Sequence, residues 1–386
     1  MSSQAAASVR VLLVESEGDD VARVSALLEE AAAPGFRTAE VVHVAEAGAA
    51  PAELDARQCD VVLLGLSPTV ARSGAAFDDI HSLNRMAPVV VLSGLDDDDV
   101  AVRAVQRGAQ DYLVKDRLTP DLLARSIRYA RERHRLLAEQ TRRLQHELKI
   151  AAFVQQSFLP SRMPAAPGHD IGAHLHASGQ VGGDFYDFIE LGGDRVALAL
   201  GDASGKGIPG AILMAETQGV LRAEAAGCGT PLELVRTLNR ALLHDRSQDR
   251  FVTLFYGVLE ATTGRFTFVN AGHPRAVLQE GDTESTLVST GPPLRLFTDA
   301  AWEERTVRLH AGARLVVYSD GVTEAQDEDE RFFDLEGVRA VMAEHPDCPA
   351  AELARRICHA AERFERGNPD PGDDKTVVVI RATEAG

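Results

Sequence analysis

The chain has 386 residues, more than a single hydrophobic core usually serves, so two domains and a connector are expected. Its composition, 45% apolar and 25% charged, is that of a soluble globular protein, and no apolar run approaches the ~18 residues that a membrane-spanning helix needs. The formal charge of -18 argues against a nucleic-acid partner, because phosphate backbones are bound by clustered Lys and Arg.

The first residues, MSSQAAASVRVLLVES, lack a basic start followed by a long apolar stretch, so a cytoplasmic location is expected. Residues 9 to 130 then alternate short apolar runs with amphipathic stretches. VRVLLV (9–14), DVVLLGL (60–66), PVVVLSG (88–94) and DYLVK (111–115) read as buried parallel strands, with helices at 19–32 and 97–108 between them. This βα alternation predicts a doubly wound α/β sheet. The acidic run Asp96 to Asp99 is expected to cap the second of those helices rather than to bind metal.

From about 119 to 157 the chain has no Gly and no Pro after Pro120, which predicts one long helix. Leu123, Ile127, Ala130, His134, Leu137, Thr141, Leu144, Leu148, Ala151 and Gln155 make a heptad seam over about 50 Å. Two readings stand: a helix packed on its own domains, or a parallel homodimeric coiled coil whose polar seam positions allow a change of register. LPSRMPAAPG (159–168) ends the helix.

Residues 169 to 383 carry the β-type runs DRVALALGD (194–202), FVTLFYGVLE (251–260), GRFTFVNAG (264–272), ARLVVYSDG (313–321) and KTVVVIR (375–381). Helical segments near 208–225, 231–244 and 349–366 interrupt them, which predicts an α+β sandwich. Cys59, Cys228, Cys348 and Cys358 form no C-x-x-C pair and are expected to be reduced structural thiols.

Four aspartates stand at strand ends or in glycine-rich turns of this half: Asp184 in VGGDFYD, Asp202 in LALGDASGKG, Asp320 in VVYSDGVTEA and Asp373 in GDDKTVVVI. Singly, each reads as a turn residue. Four such turns in one domain would gather negative charge that needs cations, and hard ions such as Mg²⁺ or Mn²⁺ take oxygen ligands. Lys206 in SGKG does not complete a G-x-x-x-x-G-K-[ST] phosphate loop. His174 and His176 share a strand face but lack a third ligand.

GGDFYD, GDASGKG, AGHP, YSDG and DDKT, in this order, resemble the motifs of the metal-dependent, protein phosphatase 2C-like (PPM) superfamily. ELKIAAFVQQSFLP resembles the opening segment of its bacterial sporulation and stress branch, whose members dephosphorylate anti-sigma factor antagonists. The resemblance covers about 150 to 383. It implies an αββα sandwich with two Mn²⁺ or Mg²⁺ ions at one end and a serine/threonine phosphatase activity on a regulatory protein of the anti-sigma factor antagonist kind. It also implies ligand roles: Asp202 between both ions, Asp320 and Asp373 on one, Asp184 on the other, and the carbonyl of Ala203. Asp374 and Asp187 would lie beside ligands or cap strands, and His273 would contact substrate, donate a proton or simply hold the AGHP turn.

Residues 9 to 128 resemble the receiver domain of response regulators, implying a parallel five-stranded sheet, with Ser93 and Lys115 at the switch hydroxyl and phosphate-contacting positions. Gly65 stands where that family has its phosphoacceptor aspartate, and the acidic pair after the first strand is Glu15 and Ser16. Asp60 is about 16 Å of strand away from position 65 and cannot substitute. The expected organisation is a pseudo-receiver at 8–128, a dimerising helical linker at 119–158 and a phosphatase domain at 165–383. The pseudo-receiver would have a partner of its own, with neither nucleic acid nor membrane involved. A non-catalytic adaptor that binds partners through both domains is the competing reading.

Overall fold

The computed structural model describes residues 7–31, 36–67, 69, 75–179, 181–243, 250–368 and 372–383. It divides into two compact units, Met1–Gln145 and His146–Gly386.

In the first unit, β1 (Ala7–Val14), β2 (Phe36–Val44), β3 (Val61–Leu66), β4 (Val89–Ser93) and β5 (Asp111–Val114) form a five-stranded sheet in the order β2-β1-β3-β4-β5. Every pairing is parallel. Helices α1 (Gly18–Glu30), α2 (Ala50–Arg57), α3 (Ala75–Asn84) and α4 (Asp98–Gln106) follow β1 to β4 in turn, and α5 (Pro120–Phe158) follows β5. Alternate strand residues serve two cores: Leu12, Val62 and Leu64 pack with Ile80 and Leu83, whereas Leu13, Leu63 and Val90 pack with Leu28 and Ile127. Both faces of the sheet are covered, which is why its strands read as unbroken apolar runs. Asp97 caps α4, its Oδ1 accepting from the N–H groups of Asp99 and Val100, so the acidic run is a helix cap as expected. The helix ends expected at 32 and 244 lie outside the described residues.

The second unit holds two antiparallel sheets. One, in the order β13-β10-β9-β8-β7, contains β7 (Asp184–Glu190), β8 (Arg195–Ala203), β9 (Val252–Glu260), β10 (Arg265–Ala271) and β13 (Arg305–Arg308). The other, in the order β12-β11-β14-β15-β6, contains β6 (His169–His176), β11 (Ala276–Glu280), β12 (Thr283–Leu287), β14 (Arg314–Tyr318) and β15 (Lys375–Ala382). Their inner faces meet in one core, where Leu198, Phe255 and Phe266 oppose Leu278, Leu315 and Val378. The outer face of the first sheet packs on α6 (Ile208–Glu224) and α7 (Pro231–Leu242). The outer face of the second packs on α9 (Asp334–Glu344) and α10 (Ala350–Phe364), and the single turn α8 (Asp320–Thr323) follows β14. The layers therefore run α, β, β, α. The capping of α7 is legible in sequence: Thr230 accepts from Glu233 N, Pro231 opens the helix, and Glu233 reaches back to Gly229 N. All four cysteines are free thiols.

The structure corrects the heptad seam. Leu123, Ile127 and Ala130 are fully buried in the core of the first unit, and Gln155 is bonded within the second. Leu137 and Leu144, at 55% and 61% exposure, are the large apolar seam residues left facing solvent. A seven-residue apolar repeat registers a buried helix face whether a partner helix or the helix's own domain covers it.

Candidate functional site

Asp184 opens β7 and faces Asp202 of β8 as its cross-strand partner. Asp320 opens α8 directly after β14, and Asp373 stands two residues ahead of β15. The two sheets thus deliver their acidic ends to the same edge of the sandwich. Thr376 of β15 joins them by donating its hydroxyl to Asp184 Oδ2 at 2.5 Å. Ser319 Oγ accepts from Thr376 N at 3.0 Å and donates to the Asp374 carbonyl at 3.2 Å.

Glycines make this approach possible. A Cβ on Gly183 would fall 2.4 Å from the Ala203 carbonyl oxygen and 2.8 Å from Asp202 Oδ1, and one on Gly182 would fall 1.6 Å from Asp374 Oδ2. No other residue type fits there without displacing the acidic groups.

The carboxylates are crowded and short of counter-charge. Burial, followed by the charges of Asp320, Asp373 and Asp374, pushes Asp202 from 3.8 up to about 7. Asp184 rises well above its ordinary value through burial and the charges of Asp202 and Asp374, against the opposing hydrogen bonds of Ser319 and Thr376. Asp320 rises through burial and then through Glu324 and Asp373. A cavity of about 670 Å³ opens among Asp202, Ala203, Lys206, Asp373, Asp374 and Leu148. A neighbouring one of about 300 Å³ shares Lys206 and Asp373 with it. Among the described residues, no three His, Cys, Asp or Glu side chains are gathered closely enough to enclose an ion as they stand. The donor set of carboxylates and one backbone carbonyl nonetheless suits a hard divalent ion, and the glycine cradle leaves the Ala203 carbonyl and Asp202 open to one.

The remaining sequence candidates separate. Asp374 organises the site: its Oδ1 accepts from Ser178 N at 3.0 Å, and its Oδ2 accepts from Asp184 N at 3.4 Å. Asp187 is bonded to Arg222 and Gln218, beside a cavity of about 490 Å³. His273 is buried, with Nδ1 2.8 Å from Thr253 Oγ1, and burial holds it neutral by lowering it to about 3. Asn270 Oδ1 accepts from His273 N at 2.8 Å, so the AGHP segment is a structural turn. His176 Nδ1 lies 3.0 Å from Glu362, and His174 packs edge-on against His359. Lys206 lies 3.8 Å from Asp373 Oδ2 and is 73% exposed at the cavity mouth. The sequence gives Ser178, Ser319 and Thr376 no role and Gln155 only a seam position, because uncharged side chains far apart in the chain give no local signal of a shared site.

In the receiver remnant a buried lysine faces the acidic pair. Lys115 Nζ lies 2.7 Å from Glu15 Oε2 and also pairs with Asp20. Burial alone would lower the lysine, but the hydrogen bonds it donates to Asp20 and Glu15 more than offset this and raise it. A Cβ on Gly65 would fall 1.9 Å from Glu15 Oε2, so Glu15 fills the space that a side chain at 65 needs. Asp20 rather than the exposed Ser16 is the second acidic partner. Ser93 is buried and accepts from Leu95 N. Asp60 is engaged elsewhere, with Arg10 N and Arg131.

Comparison with known proteins bears on the second unit. Residues 192–383 match the family model described as stage II sporulation protein E (SpoIIE). Phosphoserine phosphatase RsbU of Bacillus subtilis (strain 168) is 28% identical over 254 residues, covering 65% of this chain and 75% of the relative. Phosphoserine phosphatase RsbP of the same organism is 24% identical over 238 residues, and the chain spans 57% of its length. The solved SiaA-PP2C domain of Pseudomonas aeruginosa superimposes with a TM-score of 0.56 at 21% identity, over 63% of this chain and 99% of that one, which shows the shared fold.

Two outcomes follow from these charges. With chelator present, folded Asp202 keeps its proton up to about 7, whereas in the unfolded chain it loses it near 3.8. The folded state then holds the extra proton between those values, so stability is greatest below the ordinary carboxylate range and falls as pH rises toward 7. Calorimetry in chelator should show a lower unfolding midpoint for this domain at pH 8 than at pH 5, and added Mn²⁺ should restore it; a midpoint that rises with pH in chelator would contradict the crowding. In the first unit, Gly65→Asp should cost about 1–3 kcal/mol through overpacking against Glu15 and should gain no phosphate from acetyl phosphate by intact-mass spectrometry. A phosphorylated Gly65→Asp protein would show that Glu15 does not block the position.

Proposed function

The C-terminal half of this chain belongs to the PPM-type, protein phosphatase 2C-like enzymes of the sporulation and stress branch, and on that premise we propose that it hydrolyses phosphoserine or phosphothreonine on a regulatory protein with two Mn²⁺ or Mg²⁺ ions. The observation that carries the reading is the crowding around Asp202, which burial and three acidic neighbours push up to about 7. A cavity lined this way is matched to cations and, through them, to a phosphate.

In this reading Asp202, Asp184, Asp320, Asp373 and the carbonyl of Ala203 would hold the ions. When bound, such ions act as Lewis acids on phosphoryl oxygens and lower the pKa of water. The chain's own residues prepare the place. Thr376 and Ser319 orient Asp184, and Asp374 fixes the start of β7 and the Ser178 loop. Lys206, exposed at the mouth, offers a positive charge to an approaching phosphate. No side-chain nucleophile is needed for in-line attack by water. His273 takes no part, being buried and neutral.

The substrate we propose is a small protein of the anti-sigma factor antagonist kind, which is the chemistry of the family rather than of any recognition surface on this chain. The Gly65 site fits a pseudo-receiver that answers to a partner other than a phosphodonor kinase. The exposed Leu137 and Leu144 support a homodimer formed through the middle of α5.

Two experiments decide these points. Full-length protein should hydrolyse a phosphoserine peptide with Mn²⁺ and not with chelator, and Asp202→Asn should lose about a hundredfold or more, since several kcal/mol of charge stabilisation depend on that carboxylate. Hydrolysis that survives chelation sinks the two-metal reading, and a wild type inactive under all metal conditions favours the adaptor. For the dimer, Leu137→Asp with Leu144→Asp would bury unpaired charges between copies and should yield monomers in sedimentation velocity. A wild type that already sediments as a monomer removes the homodimer.

A further inference from the structure

Leu148 and Gln155, two helical turns apart on α5, turn toward the same part of the second unit. Leu148 lines the cavity at Asp202. Gln155 sets its side-chain amide against the main chain of Gly182: Nε2 donates to the Gly182 carbonyl at 2.7 Å, and Gly182 N donates to Oε1 at 3.1 Å. One side chain thus satisfies both backbone groups of a single buried residue, as a neighbouring strand would.

What that residue carries makes the pairing consequential. Gly182 abuts Asp374 Oδ2, and Gly183 abuts the Ala203 carbonyl and Asp202 Oδ1. Ala203 N donates to the Gly183 carbonyl at 3.1 Å. A displacement of the Gly182–Gly183 loop would therefore move the groups that face the cavity. Holding the helix to the domain does not depend on this pair. The Phe158 carbonyl, at the end of α5, accepts from Gln218 Nε2 at 3.0 Å and from Arg222.

We propose that Gln155 is a positioning residue for the divalent ions: by clamping Gly182 it holds the glycine loop against Asp202 and the Ala203 carbonyl, and so sets the affinity of the site for metal. The proposal rests on the phosphatase reading and adds to it a link between the helix and the metal-binding loop. Partners that orient a ligand from outside its coordination sphere typically contribute about 10–100-fold to metal affinity.

The test uses full-length Gln155→Met, which keeps the length of the side chain and loses both hydrogen bonds, and Gln155→Glu, which keeps an acceptor and loses the donor. Gln156→Glu, on the exposed neighbouring position, controls for added charge. Mn²⁺ binding is read from the electron paramagnetic resonance signal of free ion, alongside the Mn²⁺ dependence of phosphoserine-peptide hydrolysis and the unfolding midpoint in chelator. Both Gln155 variants should bind Mn²⁺ about tenfold or more weakly. They should recover kcat at excess Mn²⁺ with peptide KM unchanged, while Gln156→Glu matches wild type. Should Gln155→Glu fail to fold, Gln155→Met alone decides. Wild-type Mn²⁺ affinity in Gln155→Met, with or without a lower unfolding midpoint, overturns the proposal and leaves the phosphatase reading intact. A wild-type protein that neither binds Mn²⁺ nor hydrolyses the peptide removes that reading and this proposal together.

Discussion

Repulsion among carboxylates at one edge of the β-sandwich is the constraint from which the rest of the second unit can be understood. Asp202 stands beside Asp184 in the sheet and feels Asp320, Asp373 and Asp374 from the other side. Removing such groups from water without compensation costs several kcal/mol each. The sandwich beneath must be stable enough to bear this, and its three cores, one between the sheets and one under each helical layer, supply the burial that does so. Neutral donors such as Thr376 and Ser319 reduce the strain without cancelling the charge. What remains is an excess of negative charge facing a cavity, which is the condition for holding cations rather than a defect of packing.

The first unit meets the same problem with the opposite outcome. Its acidic pair, Glu15 and Asp20, has a resident cation in Lys115, and the Glu15 carboxylate occupies the space beside Gly65. That acidic pair thus has a cation of the protein's own beside it. The second unit leaves its acidic edge with little positive charge beside it, whereas the first places a buried lysine between its two acids.

Much of this was legible in sequence, and the exceptions share a cause. Parallel strands buried on both faces announced themselves as apolar runs, and the four aspartates were marked by adjoining glycines. Strands β2, β7, β11, β12 and β13 were not recognised; β12 and β13 are largely exposed and carry mostly polar residues. The heptad pattern of α5 was real, but its ends are covered by the helix's own domains. Gln155 belonged to that pattern as a polar flaw in a seam; only the fold shows it bonded to Gly182. Glu15 was visible as an acid after the first strand, yet its reach into the space beside Gly65 depends on strands distant in sequence. Local chemistry can be read from neighbours in the chain, whereas the pairing of a buried polar group requires its neighbours in space.

The central claim is that the edge of the sandwich at Asp202 is built for two divalent ions. Anomalous diffraction at the manganese edge from crystals of the full chain grown with Mn²⁺ tests it most directly. The account predicts two peaks about 4 Å apart, with Asp202 touching both and Asp184, Asp320, Asp373 and the Ala203 carbonyl around them. Manganese bound elsewhere, or a lysine or arginine side chain occupying the Asp202 cavity in its place, would contradict it.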